Sequence, residues 1–298
     1  MSLSIVLRYS AAALLLVLVG ACSTTPPVTS PVVQGTVPIA KRPPKLGLAL
    51  GGGAARGFAH VGVIQVLEEN GIKPDLVVGT SAGSLVAAIY ASGKTGPQLQ
   101  QIAEGMEEAA FTDWTLPIFS RGMLRGDALA KYVNTLVGGK LLENMSIPLG
   151  VVATDLASGQ GVLFQRGDTG TAVRASSSVP AVFQPVKIGT HEYVDGGLVS
   201  PVPVRYAKAM GADVIIGVDI SSAPENNPSS DTLQILLQTF AIMGKSINAF
   251  ELKDADVVVR PALAGMKSND FGSRKRAIEA GRMAMQQALP QLKILLSK

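Results

Sequence analysis

Cysteine, histidine and charge are all scarce in this chain. Of 298 residues one is a cysteine, Cys22, two are histidines, His60 and His191, and 16% are charged. A single cysteine excludes an internal disulfide. No cluster of Cys, His or carboxylate residues shows metal-ligand spacing, so neither a metal nor another cofactor is expected. The formal net charge of +4 is scattered, and Arg8 contributes to it from a segment expected to be removed, so no nucleic-acid partner is expected. Membrane-length runs are missing too. The apolar stretch at residues 11–19 falls short of the roughly 20 residues that span a bilayer. What the chain does have is 47% hydrophobic residues, which excludes a disordered chain and supplies a large core.

Arg8, the apolar stretch and the small Gly20-Ala21 before Cys22 have the layout of a secretory leader over residues 1–21. Val19-Gly20-Ala21-Cys22 resembles a bacterial lipoprotein signal, in which the cysteine thiol is lipidated and becomes the new N-terminus. That reading accounts for a lone thiol in an exported chain; an ordinary leader with an incidental cysteine is the alternative. Ser23 in place of aspartate favours anchoring in an outer membrane, facing the periplasm. Residues 22–44, rich in Ser, Thr, Pro and Val, read as an extended tether, and the globular domain is expected over 45–298.

From Lys45 onward, short apolar runs alternate with helical stretches. Strands are expected at 46–50, 75–79, 149–154, 162–165, 214–219 and 257–260. Helices are expected at 57–70, 82–91, 97–108, 127–136, 204–210, 232–252 and 273–289, with Gly71 and Gly93 closing the first two. Almost wholly apolar strands separated by helices predict an α/β fold with a largely parallel sheet covered on both faces. The 82–91 helix is small and apolar nearly all round, so it belongs in the middle of the fold. No repeat is evident.

Gly79-Thr80-Ser81-Ala82-Gly83 lies between an apolar run and that buried helix, the strand, turn and helix context of an exposed nucleophilic serine. Glycines two residues either side remove side chains that would clash in so sharp a turn. An N-cap serine on a Gly-flanked turn reads equally well from these five residues alone. A second motif, Gly51-Gly52-Gly53-Ala54-Ala55-Arg56-Gly57, follows the first expected strand. Its successive N–H groups can form an anion-holding nest for the oxyanion of acyl transfer. A nucleotide loop is the competitor. No Gly-Lys-Ser/Thr ends the run and the G-x-G-x-x-G frame is not met, although Asp75 stands at a plausible distance for a ribose contact.

A base for Ser81 is harder to find. His60 reads as a packed or partly exposed residue of the first helix rather than a general base. His191 precedes Asp195 by four positions in an extended segment, about 13 Å along a straight strand and too far to pair with it there, so a Ser-His-Asp triad remains open but poorly supported. Asp195 opens Asp195-Gly196-Gly197 at the end of that segment and is the better candidate, provided burial raises its pKa; Asp-Gly is also a common turn pair.

In this order, the Gly-rich loop, the serine motif and Asp195-Gly196-Gly197 resemble the patatin-like phospholipases over roughly residues 46–204. The resemblance implies a three-layer α/β/α fold, a Ser81–Asp195 dyad without histidine, and hydrolysis of acyl esters in phospholipids, lysophospholipids or neutral glycerolipids. Gly52, Gly53 and Ala54 are the implied oxyanion donors. Ala54 stands where family members commonly carry a fourth glycine. An acyltransferase with the same residues, or a non-catalytic envelope protein binding lipid or a partner, are the alternatives. Arg56 either meets a substrate phosphate or holds the loop through backbone contacts. Ser176-Ser177-Ser178-Val179-Pro180 reads as a helix end near the active face, without assigned chemistry. The apolar cluster within 111–119 is either a lid or core, and Arg274-Lys275-Arg276 a solvated helix face.

Overall fold

The chain runs β1 (Leu46–Leu50), α1 (Phe58–Glu69), β2 (Leu76–Thr80), α2 (Ala82–Ala91), α3 (Gly96–Glu104), β3 (Gly122–Leu124), α4 (Asp127–Leu136), β4 (Leu149–Asp155), β5 (Gly161–Phe164), α5 (Thr169–Ser176), β6 (Ala181–Phe183), β7 (Val186–Ile188), β8 (His191–Asp195), α6 (Val204–Ala209), β9 (Val214–Val218), α7 (Thr232–Glu251), β10 (Val257–Val259) and α8 (Arg274–Leu296). This computed structural model describes residues 42–107, 113, 121–222, 224 and 230–297. The expected leader, Cys22, all but the last residues of the tether, and the 111–119 cluster apart from Asp113 lie outside the described residues. Pro43–Lys298 forms one compact unit.

Eight strands form the main sheet, ordered β10-β9-β1-β2-β4-β8-β7, with β5 also on β4. The first five are mutually parallel; β8 and β5 run antiparallel to β4, and β7 antiparallel to β8. Every residue of β1, β2, β4 and β9 is buried, because both faces are covered. Alternate residues serve opposite layers. Leu48, Leu50, Val77 and Val151 pack with α1, α2 and α8, whereas Ala49, Val78 and Val152 pack with Val204 and Ala207 of α6. The architecture is therefore a three-layer α/β/α sandwich. As its composition requires, α2 is buried in the centre.

The structure departs from the sequence expectations at several edges. The strand expected at 75–79 begins one residue later, because the Asp75 carboxylate accepts the Leu46 N–H at 2.6 Å and ties β1 to the turn before β2. That contact lies at the end of the sheet opposite the Gly-rich loop, so Asp75 faces no ribose site. The helix expected over 97–108 spans Gly96–Glu104 and stops at Gly105. The helix expected to end at Leu289 continues through Pro290 to Leu296. Proline costs that helix a hydrogen bond, but Leu292 beyond it is fully buried, and Gln291 and Lys293 bond Asp256 and Asn70. The short strands β3, β6 and β7 carry too few residues to show a period in sequence.

Helices α1 and α8 cross at two glycines. A Cβ on Gly62 would strike the Ile278 carbonyl oxygen, and one on Gly281 would strike that of Ala59. Backbone cannot retreat as a flexible side chain can. Gly281→Val is therefore expected to cost at least about 2 kcal/mol, read as a lowered Tm in thermal unfolding.

Candidate active site

Two strands deliver the site by converging along β4. In register, Thr80 at the end of β2 lies opposite Val152, and Asp195 at the end of β8 lies opposite the next residue, Ala153. Since β5 pairs with both Val152 and Ala153, it takes one edge of β4, and β2 and β8 meet end to end on the other. The residue after Thr80 is Ser81. Its Oγ donates to Asp195 Oδ2 at 2.8 Å.

Ser81 occupies a turn that few residues adopt. Its φ is 52° and ψ −125°, a left-handed conformation for a non-glycine residue, which costs about 1–3 kcal/mol. Three contacts hold it: Ser84 N and Oγ donate to its carbonyl at 2.8 and 2.6 Å, and its own N–H donates to Ser176 Oγ at 2.8 Å. The flanking glycines are required by crowding. A Cβ on Gly83 would meet the carbonyls of Leu50 and Gly51, and one on Gly79 the backbone of Gly83 and Ser84. Ala82 begins α2, so negative charge developing at Ser81 Oγ is favoured by the helix N-terminus.

Asp195 is buried, and its second oxygen, Oδ1, accepts the Gly197 N–H at 2.7 Å. Burial pushes the carboxyl up to about 6, against the lowering pull of the Gly197 and Ser81 hydrogen bonds. Its backbone is fixed as well: Thr154 Oγ1 donates to its carbonyl at 2.8 Å and its N–H donates to Ser178 O at 2.9 Å. At Gly196 any Cβ would strike the Val152 carbonyl oxygen.

The glycine loop divides its donors. Gly51 N–H donates to Val218 O at 3.0 Å and Gly52 N–H to Pro201 O at 2.9 Å. These hold the loop to β9 and to the segment after the Asp-Gly-Gly turn, which corrects the expectation that Gly52 is a free oxyanion donor. The N–H groups of Gly53 and Ala54 have no acceptor among the described residues, and both residues line the cavity that contains Ser81. Ala54 has a φ of 51° and opens a 3-10 turn through Gly57; a glycine there would carry no Cβ penalty. Arg56 Nε donates to Gly53 O at 3.3 Å, so this arginine supports the loop from within, and burial lowers its pKa to about 10 despite nearby Asp219.

Neither histidine reaches the serine. His60 is fully buried and its Nε2 bonds Gly51 O at 2.8 Å. A carbonyl only accepts, so Nε2 carries the proton; burial lowers the ring to about 4 and keeps it neutral. His191 sits at the far end of β8 from Asp195 and bonds Asp155 through Nδ1 at 2.8 Å.

Ser176 is a site residue that sequence reasoning passed over. Its Oγ accepts from Ser81 N and donates to Val152 O at 2.5 Å, linking the serine turn to β4. One of three consecutive serines carries no mark of this; only the approach of α5 to β4 reveals it. The cavity beside Ser81 measures about 1200 Å³ and its walls are mostly apolar, with Phe58, Leu99, Ile102, Met106 and Phe183 among them. Among the described residues no three His, Cys, Asp or Glu side chains converge as a metal site, and no helix is long and apolar enough to cross a membrane.

The patatin-like phospholipase family model matches residues 48–208. An uncharacterized NTE family protein of Mycobacterium tuberculosis is 35% identical over 189 residues, covering 63% of this chain and 52% of that protein. Patatin-like phospholipase domain-containing protein 6 of Mus musculus is 32% identical over 75% of this chain and 16% of its own length. The chain thus spans about half the length of the mycobacterial relative. In fold it resembles VipD from Legionella pneumophila, with a TM-score of 0.55 at 17% identity over 84% of this chain and 67% of VipD. ExoU of Pseudomonas aeruginosa, in its complex with SpcU, gives 0.50 at 15% identity over 87% and 54%.

A carboxyl raised by burial binds its proton more tightly in the folded chain than in the unfolded one. Its stabilising effect is complete below the unfolded value near 3.8 and is lost as pH rises through about 6. Asp195→Asn is therefore expected to raise Tm at pH 8, by on the order of 1–3 kcal/mol in stability, and to lose that advantage at pH 4. Thermal unfolding at the two pH values tests it.

Proposed function

Because this chain belongs to the patatin-like phospholipase family, we propose that it hydrolyses acyl esters of lipids, with Ser81 as nucleophile and Asp195 as its general base. One observation carries the reading: the 2.8 Å hydrogen bond from Ser81 Oγ to a buried carboxyl at an apolar cavity. As Ser81 Oγ attacks the acyl carbonyl, its proton passes to Asp195 Oδ2. The oxyanion takes the N–H groups of Gly53 and Ala54, where a lost donor costs about 3–4 kcal/mol. Asp195 then returns the proton to the departing alcohol or lysolipid oxygen. In the second half, water gives a proton to Asp195 and attacks the acyl-Ser81 ester; the fatty acid leaves as Asp195 returns that proton to Ser81 Oγ. The apolar walls accept the acyl chain. In this reading Cys22 is lipidated and holds the domain beside its substrate on the outer membrane, raising the effective concentration.

A carboxylate held up near 6 is a far better proton acceptor than an exposed aspartate, and it must be ionised to act. On a soluble acyl ester, kcat/KM is expected to rise about tenfold per pH unit up to about 6 and then level off. A fluorophosphonate probe is expected to label Ser81, located by peptide mass spectrometry. Ser81→Ala should abolish the adduct, and Asp195→Asn should slow labelling by about 10²–10⁴-fold. No adduct on folded wild-type chain would rule out the proposed enzyme.

A further inference from the structure

Behind the site, two adjacent peptide groups collect bonds from all three motifs. Ser200 is fully buried, and its carbonyl accepts from Thr80 Oγ1 at 2.9 Å, beside the nucleophile. The following carbonyl, Pro201 O, accepts the Gly52 N–H at 2.9 Å, and Ser200 N–H donates to Gly196 O at 2.9 Å. The serine turn, the glycine loop and the Asp-Gly-Gly turn are thus tied to one dipeptide. That dipeptide has a single side-chain anchor of its own. Ser200 Oγ donates to Glu251 Oε1 at 2.5 Å, a carboxyl at the last residue of α7.

Glu251 is only 8% exposed. Arg205 approaches the same oxygen through its N–H at 3.4 Å and Nε at 3.8 Å, and Oε2 has no hydrogen-bond partner among the described residues. A buried carboxyl left half satisfied destabilises a fold, and nothing in the proposed reaction touches it. Resting on the hydrolase reading above, we propose that Glu251 and Ser200 are positioning residues that set the glycine loop, Ser81 and Asp195 at their working distances. The route runs from Glu251 through the Ser200 hydroxyl to two carbonyls, and from these to Thr80 and Gly52. The Glu251–Ser200 and Ser200–Thr80 links are buried hydrogen bonds and Pro201 O holds Gly52, so a loosened anchor is felt at both the nucleophile and the donor loop.

The test separates the rate of fluorophosphonate modification of Ser81 (kinact) from probe affinity (Kd), on the full chain at pH 8, with Tm recorded for each variant. Glutamine keeps an acceptor for Ser200 Oγ, so E251Q should stay within about threefold of wild type. E251A and S200A should each lower kinact about tenfold, or about 1.4 kcal/mol, with Kd unchanged. The double variant should fall no further than E251A, because both residues act in one chain of bonds. Wild-type kinact in folded S200A overturns the proposal. So does a loss in E251Q as deep as that in E251A, since the acceptor alone would then be insufficient. Should E251A not fold, S200A decides, since it removes one hydroxyl. A wild-type chain that takes no label fails the hydrolase reading and this inference together; a labelled wild type with indifferent variants fails this inference alone.

Discussion

The hydrogen bond between Ser81 Oγ and Asp195 Oδ2 can matter only because the carboxyl is kept from water, and much of the fold serves that exclusion. In solution an aspartate is a poor acceptor for a serine proton. Here Asp195 is buried at the end of β8, with Oδ1 taken by the Gly197 N–H of its own turn and mostly apolar cavity walls beside it. The same burial that makes Asp195 basic sets the chain against itself. An ionised carboxylate under the sheet, a serine in a left-handed turn and an alanine with positive φ all oppose stability. Their cost is offset by the fully buried parallel strands and by the close crossing of α1 and α8.

The electrostatic design follows from this arrangement. Three features favour negative charge near Ser81: the N-terminus of α2 and the N–H groups of Gly53 and Ala54, which have no acceptor among the described residues. None of them is a mobile side chain. Arg56 and His60, the side chains one would first suspect, bond the carbonyls of Gly53 and Gly51 and shape the loop from behind. Fixed dipoles need no reorganisation as charge develops, which suits a site that lacks a histidine relay.

The legible parts of the sequence were those where sterics act locally. The glycines around Ser81 mark a turn too crowded for side chains, the apolar strands mark a doubly covered sheet, and Asp195 stands where a strand ends. The rest depends on tertiary register. Gly52 reads like Gly53 until Pro201 is seen to occupy its N–H, and Ser176 reads like Ser177 until Val152 is found beside it. Pro290 marks a helix end by local rule, yet burial of Leu292 overrides it. Local rules find the residues that bend or pack; they do not say which backbone groups remain unengaged.

One consequence concerns which parts of the chain are free to vary. Because β2 and β8 abut on the same edge of β4, the separation of Ser81 and Asp195 is measured along that one strand. The outer turns between β4 and β8 can change in length without altering that measurement, provided Ser176 and Ser178 keep their bonds to Ser81 and Asp195. A single residue inserted within β8 is another matter. It would shift Asp195 by one strand position, about 3.3 Å, and turn its side chain to the other face of the sheet. Length changes thus fit the turns between β4 and β8 and do not fit the five residues of β8 itself.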